Sequence, residues 1–117
     1  MESELQGRTK RFSLDLILVL KSFPKDYLGE VIEVIGRQLL KLGASIGANY
    51  REANRAEPQA DFSHKVNVAE KEAAETVYWL EICIEAGLGA SALTQKLAQE
   101  TQEHLAILTT IGRNSKK

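Results

Sequence analysis

Apolar positions along this chain of 117 residues fall into four stretches, each with helical periodicity. The clearest lies in the second quarter. Leu28, Ile32, Ile35, Leu39, Leu42, Ile46, Asn49 and Ala53 alternate in steps of four and three, the spacing of a heptad seam. They predict a helix over 27–56, with Asp26 as its N-cap. A second seam of Phe62, Val66, Ala69, Ala73, Thr76, Leu80 and Cys83 predicts a helix over 59–86. The line beside it carries Lys65, Val68, Glu72, Glu75, Trp79 and Ile82. Leu93, Leu97, Leu105, Leu108 and Ile111 mark a helix over 92–111, capped by Ser91. Near the start, the run LDLILVL has the composition of a short buried strand, but no other segment offers it a strand partner. It therefore reads as a buried helix over 10–22.

Two prolines and a glycine pair separate these stretches. Phe23 precedes Pro24 and is pushed out of the α region, which ends the first helix. Pro58 suits a first helical turn, where a missing N–H is no loss. Gly87 is a natural C-terminal stop, and Gly112 is expected to close the last helix. Residues 1–9 and 112–117 read as flexible ends. Connections this short force consecutive helices to run antiparallel. The expected fold is all-α, an antiparallel up-down-up-down four-helix bundle forming one domain over 1–117. Gly36, Gly43 and Gly47 lie inside the second helix, where each costs on the order of 1 kcal/mol against alanine. They read as points where a neighbouring helix comes close.

Composition adds bounds. An apolar fraction of 44% with 26% charged residues is ordinary for one globular domain. Cys83 is the only cysteine, which excludes an internal disulfide and a cysteine-based zinc site within one chain. It suits a reducing compartment, and its neighbours Ile82 and Ile84 favour a plain buried thiol. The unbroken aliphatic run Leu16 to Leu20 is far too short for a membrane span, and the first residues carry no signal-peptide pattern. A cytoplasmic protein with no membrane partner is expected. The net charge is −1, distributed unevenly: 57–86 carries seven acids against two bases, and 87–117 four bases against two acids. Tight nucleic-acid binding needs a positive excess, because phosphate neutralisation supplies most of the affinity. None appears overall, and basic residues gather near the two ends. Arg8, Lys10, Arg11, Arg113, Lys116 and Lys117 are the candidate nucleic-acid contacts, for weak binding at low salt.

No residue set carries recognisable catalytic chemistry, and no enzyme, cofactor or metal is expected. A di-metal bundle needs paired Glu-x-x-His motifs. Asp61-x-x-His64 has that spacing with Asp for Glu, but His104 follows Glu100 at four and Glu103 at one, so the second motif is missing. Gly43-Ala-Ser-Ile-Gly47 falls within a helix, not after a strand, and is no phosphate loop. The polar residues placed at helix contacts are Asn49, Glu52, Glu72 and Glu75. They read either as a polar pocket or ligand site or, the favoured reading, as a candidate polar network that fixes register or subunit contact, as a seam asparagine does in coiled coils.

Several fragments together resemble a known family. Ser45-Ile46-Gly47-Ala48-Asn49 with Glu52-Ala53 is similar to the second-helix signature of the bacterial four-helix-bundle proteins linked to intervening sequences of 23S ribosomal RNA. Asp61-Phe62, Lys65, Lys71-Glu72-Ala73, Glu75-Thr76 and Tyr78-Trp79-Leu80 resemble its third-helix signature. The resemblance implies a four-helix bundle that assembles with itself, as a ring of five in several members. A related branch serves as the accessory protein of diversity-generating retroelements, and implies as an alternative a nucleic-acid-binding partner of a reverse transcriptase. The favoured expectation is a non-enzymatic homo-oligomeric interaction or scaffold protein, with a further protein partner not named by the sequence. The apolar stripes point the same way, since they exceed what a bundle this small can hide.

Overall fold

A computed structural model describes residues 3–24 and 29–115. It contains four α-helices: α1 (Glu4–Lys21), α2 (Gly29–Arg55), α3 (Gln59–Ala86) and α4 (Ser91–Ser115). No strand occurs among the described residues. The helices pack into a rod of 50 × 23 × 22 Å. Each touches two neighbours: α1 meets α2 and α4, and α3 meets α2 and α4. The α2–α3 and α3–α4 seams are the most extensive, and the α1–α4 seam is the thinnest.

Both terminal helices are longer than their apolar stripes predict. α1 starts at Glu4 rather than at residue 10, because Ser3 and Gln6 form a capping box. The Gln6 amide donates to Ser3 Oγ at 3.1 Å, and the Ser3 amide to Gln6 Oε1 at 3.1 Å. This turn buries Leu5 and Thr9, so residues 4–9 are not a flexible end. α4 continues through Gly112, which is buried against Val66 and Asn67. Its last turn is held by α3: Gln59 Nε2 donates to the Ser115 carbonyl at 2.9 Å, and the Ser63 and Ser115 hydroxyls lie 2.9 Å apart. Ser91 stands inside α4 as its first residue rather than as a cap. Asp26, Tyr27 and Leu28 lie outside the described residues. Pro58 precedes α3 in extended conformation, and Gly87 caps its end at a φ of 71°.

The seams of α2 and α3 follow their sequence patterns. Ile32, Leu39, Leu42, Ile46 and Ala53 are buried on α2, and Val66, Ala69, Ala73, Thr76, Leu80 and Cys83 on α3. The α1 run splits. Leu16 and Val19 enter the core beside Phe12, while Leu14, Ile17 and Leu18 stay exposed at 47%, 40% and 54%. A helix turns its residues through 100° steps, so a continuous aliphatic run must leave part of itself outside. On α4 the buried face is centred on Thr94, Leu97, Ala98, Thr101, His104 and Leu108. Leu93, Leu105 and Ile111 are only partly covered beside it.

α1 sits deeply on α2 because two glycines admit it. A Cβ at Gly43 would lie 2.5 Å from Leu16 Cδ2 and 3.2 Å from Phe12 Cε2. A Cβ at Gly47 would lie 2.9 Å from Thr9 Oγ1 and 3.1 Å from Thr9 Cβ. Gly36 is different, since its nearest neighbour would be Leu20 Cδ2 at 3.6 Å, an ordinary contact. Opposite outcomes are therefore expected for one chemical change. Gly36→Ala should stabilise the protein by about 1 kcal/mol through helix propensity. Gly47→Ala should destabilise it by about 1–3 kcal/mol through overpacking against a stiff β-branched side chain. Chemical denaturation of the two variants beside the parent checks the signs.

Candidate functional site

The sequence-predicted polar network is drawn together only in part. Asn49 is half-buried on α2, and its Nδ2 donates to Glu72 Oε1 on α3 at 2.7 Å and to the Ser45 carbonyl at 3.1 Å. Asn49 thus ties α2 to α3, the role its seam position suggests. Burial pushes the Glu72 carboxyl above its ordinary value, and nearby Glu75 adds to this, while the Asn49 bond and Lys65 oppose it. Glu75 itself is exposed. Glu52 is exposed as well, at a shallow hollow shared with Arg55, Asp61, His64 and Lys65 near the α2–α3 connection. Glu52 and Glu75 stand one position off their seams and turn outward, whereas Glu72, placed likewise beside Ala73, is drawn in by Asn49.

A second polar cluster escaped the sequence reading. It lies where α1 meets α4. Arg8 makes a two-pronged pair with Glu100, Nε to Oε2 at 2.9 Å and Nη2 to Oε1 at 2.8 Å, and Nη2 reaches Glu103 Oε1 at 3.1 Å. On the other side, His104 Nε2 lies 2.7 Å from Glu100 Oε2. The His104 ring is fully buried and meets the Phe12 ring edge-on at a centroid distance of 5.5 Å. Its Nδ1 is buried without a hydrogen-bond partner. The Arg8 bonds hold the Glu100 carboxyl below the usual carboxylate range, with burial opposing and His104 assisting. Glu100 in turn raises Arg8 above its ordinary value. Burial pushes His104 below its ordinary value, despite the pull of Glu100 and Glu103.

These assignments fix the hydrogen-bond roles. Glu100 is ionised and accepts, so a neutral His104 carries its proton on Nε2 and donates it. A groove of about 660 Å³ opens beside the cluster, lined by charges of both signs that include Arg11, Asp15 and Lys96. Only the i, i+4 spacing of Glu100 and His104 was visible beforehand; Arg8 stands 92 residues from Glu100. Arg8 is accordingly half-buried and engaged, which sets it apart from the other predicted nucleic-acid contacts. Lys10, Arg11 and Arg113 are exposed, and Lys116 and Lys117 lie outside the described residues.

Nothing in this arrangement resembles an assembled metal centre. Among the described residues no group of three or more His, Cys, Asp or Glu side chains converges on a metal position. Cys83 is fully buried, and burial pushes its thiol up, away from a reactive thiolate. No helix among the described residues is long and apolar enough to cross a membrane.

Four helices tied across their seams by Asn49–Glu72 and Arg8–Glu100 define an all-α bundle protein. Comparison with known proteins gives the family. Residues 2–110 match the profile of the 23S rRNA-intervening sequence proteins, and the chain belongs to that family. It is similar to a protein of unknown function from the S23 ribosomal protein family of Bacteroides thetaiotaomicron, whose crystal structure superposes with a TM-score of 0.77. That likeness has 32% sequence identity and covers 92% of this chain and 96% of the other. No curated protein matches the chain.

The Asn49–Glu72 bond yields paired expectations. Asn49→Ala removes the donor from a half-buried carboxylate and should cost about 1 kcal/mol. Glu72→Gln keeps an acceptor for Asn49 and removes the charge. Because Glu72 has a raised folded-state pKa, its ionised form is disfavoured by folding. Glu72→Gln should therefore raise Tm near neutral pH. The gain should fade as pH falls through the folded value, where the parent protein takes up its own proton. Melts of both variants across pH 4–7.5 check the two effects.

Proposed function

We propose that this protein is a non-enzymatic scaffold that works as a closed homo-oligomer, a ring of five by its family resemblance. The carrying observation is the apolar surface left on the single chain. Leu14, Ile17 and Leu18 project from α1, and Val31, Val34 and Leu40 from α2, at exposures from 37% to 65%. Beside them an apolar groove of about 520 Å³ runs between α1 and α2, walled by Leu20, Phe23, Ile32, Gly36 and Leu40. At 100° per residue, Val31 and Val34 stand on the flank of α2 opposite Gly36 and Leu40. Two unlike apolar flanks favour a head-to-tail contact, which closes into a ring, over a self-matching dimer.

This reading takes the helices in up-down-up-down order. Two links support that order: the Ala90 amide, just before α4, donates to Ser22 Oγ at the end of α1, and Gln59 at the start of α3 meets Ser115 at the end of α4. A cytoplasmic location fits the single buried thiol of Cys83.

Light scattering coupled to size exclusion tests the assembly. A multiple of the 13.0 kDa chain mass, five-fold for the ring, is expected at micromolar concentration. Leu18→Glu combined with Val34→Glu should reduce the particle to a folded monomer, since both side chains are already exposed. A monomer mass for the parent protein would overturn the proposal. Submicromolar binding of RNA or DNA near physiological salt would instead favour a nucleic-acid-binding accessory protein, working through Lys10, Arg11 and Arg113.

A further inference from the structure

We infer that the Arg8–Glu100–His104 cluster is an acid-sensitive catch, in which uptake of one proton at His104 Nδ1 opens the seam between α1 and α4. Three observations converge on it. The imidazole is fully buried, so a cation there is cut off from bulk solvation. Its Nε2 is committed to Glu100, so the proton must enter at Nδ1. Nδ1 has no partner, so the new N–H would have no acceptor in the closed structure. The imidazolium can be satisfied only if the seam parts and admits water. That seam is the thinnest in the bundle, and Arg8 is its clamp.

The surrounding groups leave His104 as the group that titrates. The charges acting on it come from Glu100 and Glu103 on its own helix and from Arg8 on α1. The two carboxylates favour the imidazolium, Arg8 opposes it, and burial opposes it most. Among the described residues, the buried faces of α2 and α3 bring only Tyr50 and Cys83 as titratable groups. Glu100 is held below the usual carboxylate range by Arg8, so it remains ionised while His104 takes up its proton.

The sign follows from linkage. The unfolded or opened chain protonates this histidine near pH 6.5, and the closed bundle resists until lower pH. The closed seam is therefore fully favoured above about pH 6.5. It weakens as pH falls from there to the folded-state value, below which the loss levels off. Each unit separating the two values weakens the closed form about tenfold.

The test uses the intact protein. Imidazole signals are followed by NMR from pH 8 to 4.5. Amide hydrogen exchange is measured alongside at pH 7.5 and 5, corrected for intrinsic rates. His104 should titrate below the ordinary imidazole value, together with a loss of protection confined to 8–12 and 100–104 and no matching loss at the α2–α3 seam. His104→Gln keeps a donor toward Glu100 and cannot titrate. In that variant the acid-dependent part of the loss should vanish, whatever its overall stability. The inference is overturned if His104 titrates at the ordinary imidazole value, if protection falls uniformly along the chain, or if His104→Gln retains the same acid response.

Discussion

The depth at which α1 sits on α2 governs what the rest of the bundle can do. Gly43 and Gly47 have no side chains to hold Thr9, Phe12 and Leu16 away, so these residues reach the α2 backbone. Phe12 then lies against His104, and Arg8, one turn earlier on α1, arrives at Glu100. The same seating turns Leu14, Ile17 and Leu18 to the outside. Inner polar cluster and outer apolar ridge are two faces of one helix, set by one close contact.

The core accommodates polar residues by two different devices. Thr9, Thr76, Thr94 and Thr101 are all buried, yet each hydroxyl donates to the carbonyl four residues earlier in the chain, at 2.7–2.9 Å. A threonine bonded in this way presents only its methyl group to the neighbouring helix. It packs like valine and asks nothing of a partner. His104 and Asn49 are the opposite case, because their hydrogen bonds need carboxylates. The Asn49 bond crosses a helix seam directly, and the His104 bond does so through the Arg8 grip on Glu100. These residues therefore fix which helices meet and in what register, which the threonines cannot do.

That distinction explains what could be read from the sequence. The seams of α2 and α3 were legible because their apolar residues recur at heptad spacing, and Asn49 was legible as a polar intruder on such a seam. The buried face of α4 was obscured by Thr94, Thr101 and His104, which look polar on paper while behaving as core. The true start of α1 was written in Ser3 and Gln6, a capping pair with no apolar stripe beside it. The end of α4 lies beyond Gly112, a residue that reads as a stop in the sequence but is an interior one packed against Val66. The Arg8–Glu100 pair depends on tertiary approach between the two ends of the chain, and no local pattern encodes it. Glu52 and Glu75 show the converse, since nearness to a seam in sequence did not bring them into it.

The other end of α1 is fastened in a different way. Ser22 Oγ accepts the Ala90 amide and donates to the Val19 carbonyl, and the Phe23 ring covers the backbone of Gly89, within 3.0 Å of where a Cβ would stand. This knot joins the close of α1 to the chain just ahead of α4 and contains no group that titrates. α1 is 18 residues long, about 27 Å from end to end. It is therefore a lever with a fixed pivot at Ser22 and Phe23 and an ionic grip near its far tip. Separation from α4 must take the form of a swing about that pivot. A tilt of a few degrees there becomes a gap of an ångström or two at Arg8, wide enough to let a water molecule begin to enter, while the pivot hardly moves.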